Sequence, residues 1–117
     1  MRPPGWPDRV TDPEQSDFAE SASRWLWDIG GIPRSASSVW AVHPRALAFR
    51  VSCDLDARIE GARLAYARAR TALAGTGIDP DRVLQALESE AADLQRLQRE
   101  VEMVAEALAG RRWQARL

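Results

Sequence analysis

The 117-residue sequence contains no lysine and no asparagine, and only one histidine, one tyrosine and one cysteine. The lone cysteine, Cys53, excludes an intrachain disulfide, and with a single histidine available as base it is poor material for a thiol nucleophile. That histidine, His43, stands beside Pro44 outside the helical patterns, which excludes a di-metal centre built from Glu-x-x-His motifs on facing helices. We expect His43 to help cap the helix that follows. Long apolar runs are also missing. Nowhere does the chain approach the roughly 18 consecutive apolar residues of a membrane span, and the start, MRPPGWPDRVTDPEQ, has no apolar stretch behind a basic residue. A cytoplasmic protein without membrane contact is therefore expected.

What is present is arginine and alanine. All 16 cations are arginine, 20 residues are alanine, and 17 acids bring the net charge to −1. Arginine as the sole cation is the mark of a GC-rich coding bias, which points to a bacterium. A chain of this length is one domain with one modest core.

Residues 1–15 hold four prolines and several charges without periodicity, and are expected to form an extended or mobile arm with Trp6 as its anchor. Residues 16–117 are expected to make a single all-α domain with helices over about 17–29, 44–74 and 80–109. Ser16 or Asp17 would cap the first, which places Phe18, Ala22, Trp25 and Ile29 on one face and ends at Gly30-Gly31. Pro44 opens the second; Gly75 suits its left-handed end, and Asp79-Pro80 is a strong start for the third.

The third helix carries apolar residues at Val83, Leu87, Leu94, Leu97, Val101, Val104 and Leu108, alternating four and three apart, with Glu90 as the single break. The second offers a looser stripe at Ala48, Ser52, Leu55, Ile59, Ala62, Tyr66, Ala69 and Leu73. The short AGTGIDP connection makes the two antiparallel, with Ile59 by Leu94 and Tyr66 by Leu87. Small residues then face large ones across the seam. The predicted fold is all-α: a long, coiled-coil-like antiparallel helical hairpin with a short Trp-rich helix and loop packed across it. Residues 44–74 carry six arginines against three acids, and residues 79–109 carry eight acids against three arginines, so the two helices attract. On this register Arg58 would reach Asp93, and Arg63 would reach Glu90.

No complete catalytic, phosphate-binding or cofactor motif is present, so no cofactor is expected. Glu60, Glu90 and Asp93 fall near one another on the hairpin register and distantly resemble the carboxylate clusters of all-α nucleotide pyrophosphohydrolases. That resemblance implies a magnesium-dependent hydrolase as an alternative. Arginines on the second helix, with the trailing GRRWQARL, suggest a nucleic-acid binder as a further alternative, which the neutralising acids of the third helix argue against.

A different feature favours protein contact. The stretch WLWDIGGIPRSASSVW, residues 25–40, holds three of the five tryptophans, more than one short helix buries on one side. Helical phase turns Trp27 about 200° from Trp25. Gly61 sits in mid-helix at a cost of about 1 kcal/mol against alanine. It lies off the seam, in a second stripe with Ala57 and Ala65, bounded by Leu47, Val51, Leu64 and Ala72. The expected function is a small non-enzymatic assembly or adaptor protein, with Trp27, Trp40, Gly61, Leu64 and Ala65 as the protein-binding residues. The expected partner is another protein or a second copy of the chain, a homodimer being the simplest assembly.

Overall fold

A computed structural model describes residues 2–33 and 38–111. The serine run between those spans and most of the trailing basic segment lie outside the described residues. The chain is all-helical, with α1 over Phe18–Gly30, α2 over Ser38–Val42, α3 over Pro44–Ala72 and α4 over Pro80–Leu108, and α3 packs along α4 as a hairpin. The short α2 was not foreseen in the sequence.

Local chemistry sets these boundaries. The Asp79 side chain accepts the Asp81 amide at 3.0 Å, and Pro80 occupies the first turn of α4, where its missing N–H costs nothing. Pro44 opens α3 likewise, and His43 stands at the N-cap position in extended conformation, its side chain making no capping bond while its backbone carbonyl accepts from the Leu47 amide at 3.0 Å. In the turn, Gly75 and Gly77 both take positive φ, at 77° and 79°.

The seam of α3 follows the spacing, with Ala48, Leu55, Ile59, Ala62 and Ala69 buried and Ser52 and Leu73 half-buried, except that Tyr66 is exposed at its edge rather than buried in it. Cross-helix bonds fix the register: Tyr66 Oη donates to Glu88 at 3.1 Å, Arg70 pairs with Asp81 at 2.6 Å, and Gln98 Nε2 donates to Asp56 at 2.7 Å. The seam of α4 departs from the expected heptad. Glu90 is exposed and its place is taken by Ala91; Leu84 is buried, and Gln98 enters the interface beside Ser52. One heptad does not describe α4 because it meets two neighbours, α3 along its length and α1 as well, and Leu97 packs on the cluster the three helices share. The expected ion pairs change with it. Arg63 pairs with Glu60 at 2.6 Å rather than with Glu90, Asp93 pairs with Arg96 at 3.2 Å, and Arg58 turns to α1.

That last contact explains the glycine pair. Arg58, held by Asp54 at 3.0 Å, donates to the carbonyls of Ile29 and Gly30, both at 3.1 Å, and so satisfies the C-terminal end of α1 with a cation. A Cβ on Gly30 would come within 2.8 Å of the Val51 side chain, and one on Gly31, at φ 67°, would collide with the Arg58 guanidinium. Gly30-Gly31 is thus both the stop of α1 and the clearance that lets it sit on α3. Arg58→Ala should cost about 2–3 kcal/mol in urea melts, since two charge-assisted bonds to half-buried carbonyls are lost, and Arg58→Lys should recover little of it. A loss under about 0.5 kcal/mol, the ordinary size of a surface change, would contradict this role.

Residues 2–15 are not the extended or mobile arm the composition suggests. Trp6, Pro7, Val10 and Pro13 are buried, with Val10 fully enclosed, and three successive turns fold the segment. Trp6 Nε1 donates to the Val10 carbonyl at 3.0 Å, and the Thr11 amide donates to Ser21 Oγ on α1 at 3.0 Å. Arg9 pairs with Asp28.

Candidate protein-interaction surface

The five residues expected to bind a partner fall into two groups. Trp27 and Trp40 stand on α1 and α2, each half-buried and packed against the hydrophobic core, so the surplus aromatic surface is largely taken up within the fold. Gly61, Leu64 and Ala65 are exposed on one face of α3. A Cβ placed on Gly61 would meet nothing within 4 Å. The stripe foreseen around it divides: Leu47 and Val51, beside the end of α1, are fully buried, whereas Ala57, Gly61, Leu64, Ala65 and Ala72 are bare.

Helical phase extends the bare face toward the start of α3 through Cys53 and Phe49, both exposed. Phe49 is the largest apolar side chain on it, 66% exposed, with Leu64 at 49%. Phe49 was missed in the sequence because the row of the second stripe was followed only as far back as Ala57. Its spacing of four from Cys53 and eight from Ala57 is the signal that would have found it.

Two other features have chemical character. An open groove of about 870 Å³ runs between the N-terminal turns and α4, lined among others by Trp6, Asp8, Arg99, Glu100 and Met103. Burial holds the Glu100 carboxyl above its ordinary value, Arg96 opposes this, and Asp8 adds to it. A carboxyl raised in the fold retains its proton there at pH values where the unfolded chain has lost it. Its contribution to stability therefore falls as pH rises through the window just above the ordinary 4.5. Glu100→Gln should remove that fall, gaining on the wild type between acid and neutral pH in urea melts. A constant difference across the range would show that Glu100 does not titrate abnormally. Elsewhere, the Tyr66 hydroxyl is held above its usual value by the bond it donates to Glu88, and the Asp12 carboxyl below its own by the Glu14 amide it accepts.

The carboxylates behind the hydrolase alternative are not gathered. Among the described residues no three His, Cys, Asp or Glu side chains are grouped so as to hold a metal ion, and Glu60 and Asp93 are each engaged by an arginine of their own helix. No helix among the described residues is long and apolar enough to cross a membrane. Compared with protein-family models, with curated proteins and with solved structures, the chain matches none.

Proposed function

We propose that this chain is a non-enzymatic protein-interaction module of the adaptor or assembly-factor kind, and that its contact surface is the outer face of α3 from Phe49 to Ala72. The observation that carries the reading is the bare apolar stripe itself. Leu64 stands 49% exposed beside a mid-helix glycine with open space above it, and Phe49, nearer the start of α3, is 66% exposed, on a helix whose opposite face packs on α4. Contiguous exposed apolar surface of this kind is the usual sign of a covering partner, and a glycine on it permits a close approach. Trp27 and Trp40 act in this reading as supports, holding α1 and α2 against the core. An exposed free thiol, Cys53, suits a reducing cytoplasm, and arginine as sole cation suits a bacterium with a GC-rich genome.

The test is site-specific photo-crosslinking in the cell that encodes the protein. A photoreactive residue at Leu64 should give discrete protein adducts that Phe49→Glu and Gly61→Leu abolish, while the same residue at Gln85 on α4 should give none. Both substitutions lie on exposed positions and should leave the thermal midpoint within a few degrees of the wild type, so loss of adducts would report contact rather than unfolding. Equal labelling from positions 64 and 85 would overturn the assignment of the face.

A further inference from the structure

We infer that the crevice between the start of α3 and the end of α4 is the seat of the chain's own basic segment, residues 112–117, with Trp113 laid against Phe49. The contact is within the chain and stands apart from the partner contact proposed above.

The direction of the chain comes first. α4 ends at Gly110, whose φ of 84° takes the left-handed turn. The Gly110 amide donates to the Ala107 carbonyl and the Arg111 amide to the Glu106 carbonyl, both at 3.0 Å, the pair of bonds that closes a helix and folds the chain over its last turn. The Arg111 guanidinium adds two bonds to the Glu106 carboxylate, at 2.7 and 2.8 Å. The chain therefore leaves α4 beside its last turn, and Arg111 itself forms part of the wall of an open crevice of about 290 Å³.

What that crevice lacks is bulk. Its walls include Ala48 of α3 and Ala105 and Ala109 of α4, and the one aromatic ring on it is Phe49, 66% exposed. Small residues around one bare ring leave room for a second flat ring, and two aromatics in contact gain beyond the area they bury. The segment RRWQARL supplies that ring at Trp113, two residues beyond Arg111, a reach of about 7 Å when extended. Charge agrees. Residues 112–117 carry two arginines and no acid, whereas the α4 wall presents Glu102 one turn before Glu106, with Arg45 the base on the α3 wall. Glu106 already holds Arg111, and Glu102 is placed to receive the next arginine as the segment runs back along α4. A tether this short gives the ring a high effective concentration, so a modest contact keeps it seated, an advantage no separate chain has.

In a Cys53→Ser background, Ala109→Cys reports the cover of the crevice through its rate of maleimide labelling. The full chain should label about tenfold more slowly than a chain ending at Arg111. Trp113→Ala and Phe49→Ala should each raise the full chain to the truncated rate, and Trp113→Phe should keep part of the protection. Circular dichroism of the same samples checks that the helices are intact. Arg99→Cys, on the flank of α4 that meets the N-terminal turns, should label at one rate throughout. Equal rates at position 109 with and without residues 112–117 would overturn the seat, and so would protection at position 99 in its place. Protection at position 109 that fades on dilution would mean the segment of another copy and overturn the contact within the chain. Adducts from position 64 are a separate readout: their absence removes the interaction reading and leaves the seat, and equal labelling at position 109 removes the seat and leaves the interaction reading.

Discussion

Trp25→Ala should destabilise the protein by about 3–5 kcal/mol, the usual cost of emptying a buried aromatic site. Trp25 is 4% exposed in the cluster where α1 meets the hairpin, and Leu26 beside it is fully buried. The walls of that site cannot close inward, because Arg58 fixes the C-terminal end of α1 and the buried Phe18 and Ala22 hold its earlier turns. A cavity the size of an indole would remain, and with total stability for such a domain of about 5–15 kcal/mol the loss is a large fraction. Trp27→Ala is the internal comparison. Its ring is half-buried against the same cluster, so a cost of about 1–2 kcal/mol is expected from the apolar area returned to water. Urea melts followed by far-ultraviolet circular dichroism give both values, and equal costs would mean that the two rings are equally enclosed. Neither variant should alter crosslinking from position 64 beyond what lost folding explains, since the bare face is on α3 and not on α1.

The hairpin was legible in the sequence because each of its determinants is local. Asp79-Pro80 is a start signal that needs no tertiary help, and the α3 stripe from Ala48 to Leu73 repeats often enough to fix a phase. The α4 phase was read one position off at Glu90, because a heptad assumes a single neighbour and α4 has more. Arg58 could not be placed from the hairpin register alone: Asp54 stands at the readable i,i+4 spacing, but the two backbone carbonyls of α1 that decide where the guanidinium goes carry no sequence signature. Of the candidate surface, Gly61, Leu64 and Ala65 were legible, since a mid-helix glycine off the seam states its own anomaly. Trp27 and Trp40 were weighted toward binding by counting rings against the capacity of one short helix. The structure supplies what that count omitted, a helix at Ser38–Val42 and an N-terminal segment that enlarge the core.

The N-terminal segment is where composition misled most, and it carries the second large prediction: Trp6→Ala should cost about 3–5 kcal/mol, and deletion of residues 2–11 should unseat α1 from the hairpin. Four prolines were read as a bar to order, yet each X-Pro constraint also lowers the entropy of the unfolded chain. In PPGW, Pro4 and Gly5 occupy the two central positions of a turn closed by the Trp6 amide on the Pro3 carbonyl, at 3.2 Å, with Gly5 at φ 82° as that turn demands. In DPEQ, Pro13 stands second in a turn closed at 2.9 Å, and Asp12 accepts the Glu14 amide at 3.0 Å. The segment therefore enters the fold partly pre-shaped, and the burial of Trp6 against Phe18, with ring centroids 6.0 Å apart, need offset only a reduced entropy. Trp6→Phe separates the two contributions. It keeps most of the apolar area but loses the bond to the Val10 carbonyl, so a cost of about 1 kcal/mol is expected. In the deletion variant, hydrogen exchange should accelerate across α1 while the α3 and α4 amides near the Asp79 turn keep their relative protection. A deletion variant with the wild-type urea midpoint would show that residues 2–11 only rest on the domain, and would return them to the arm their composition describes.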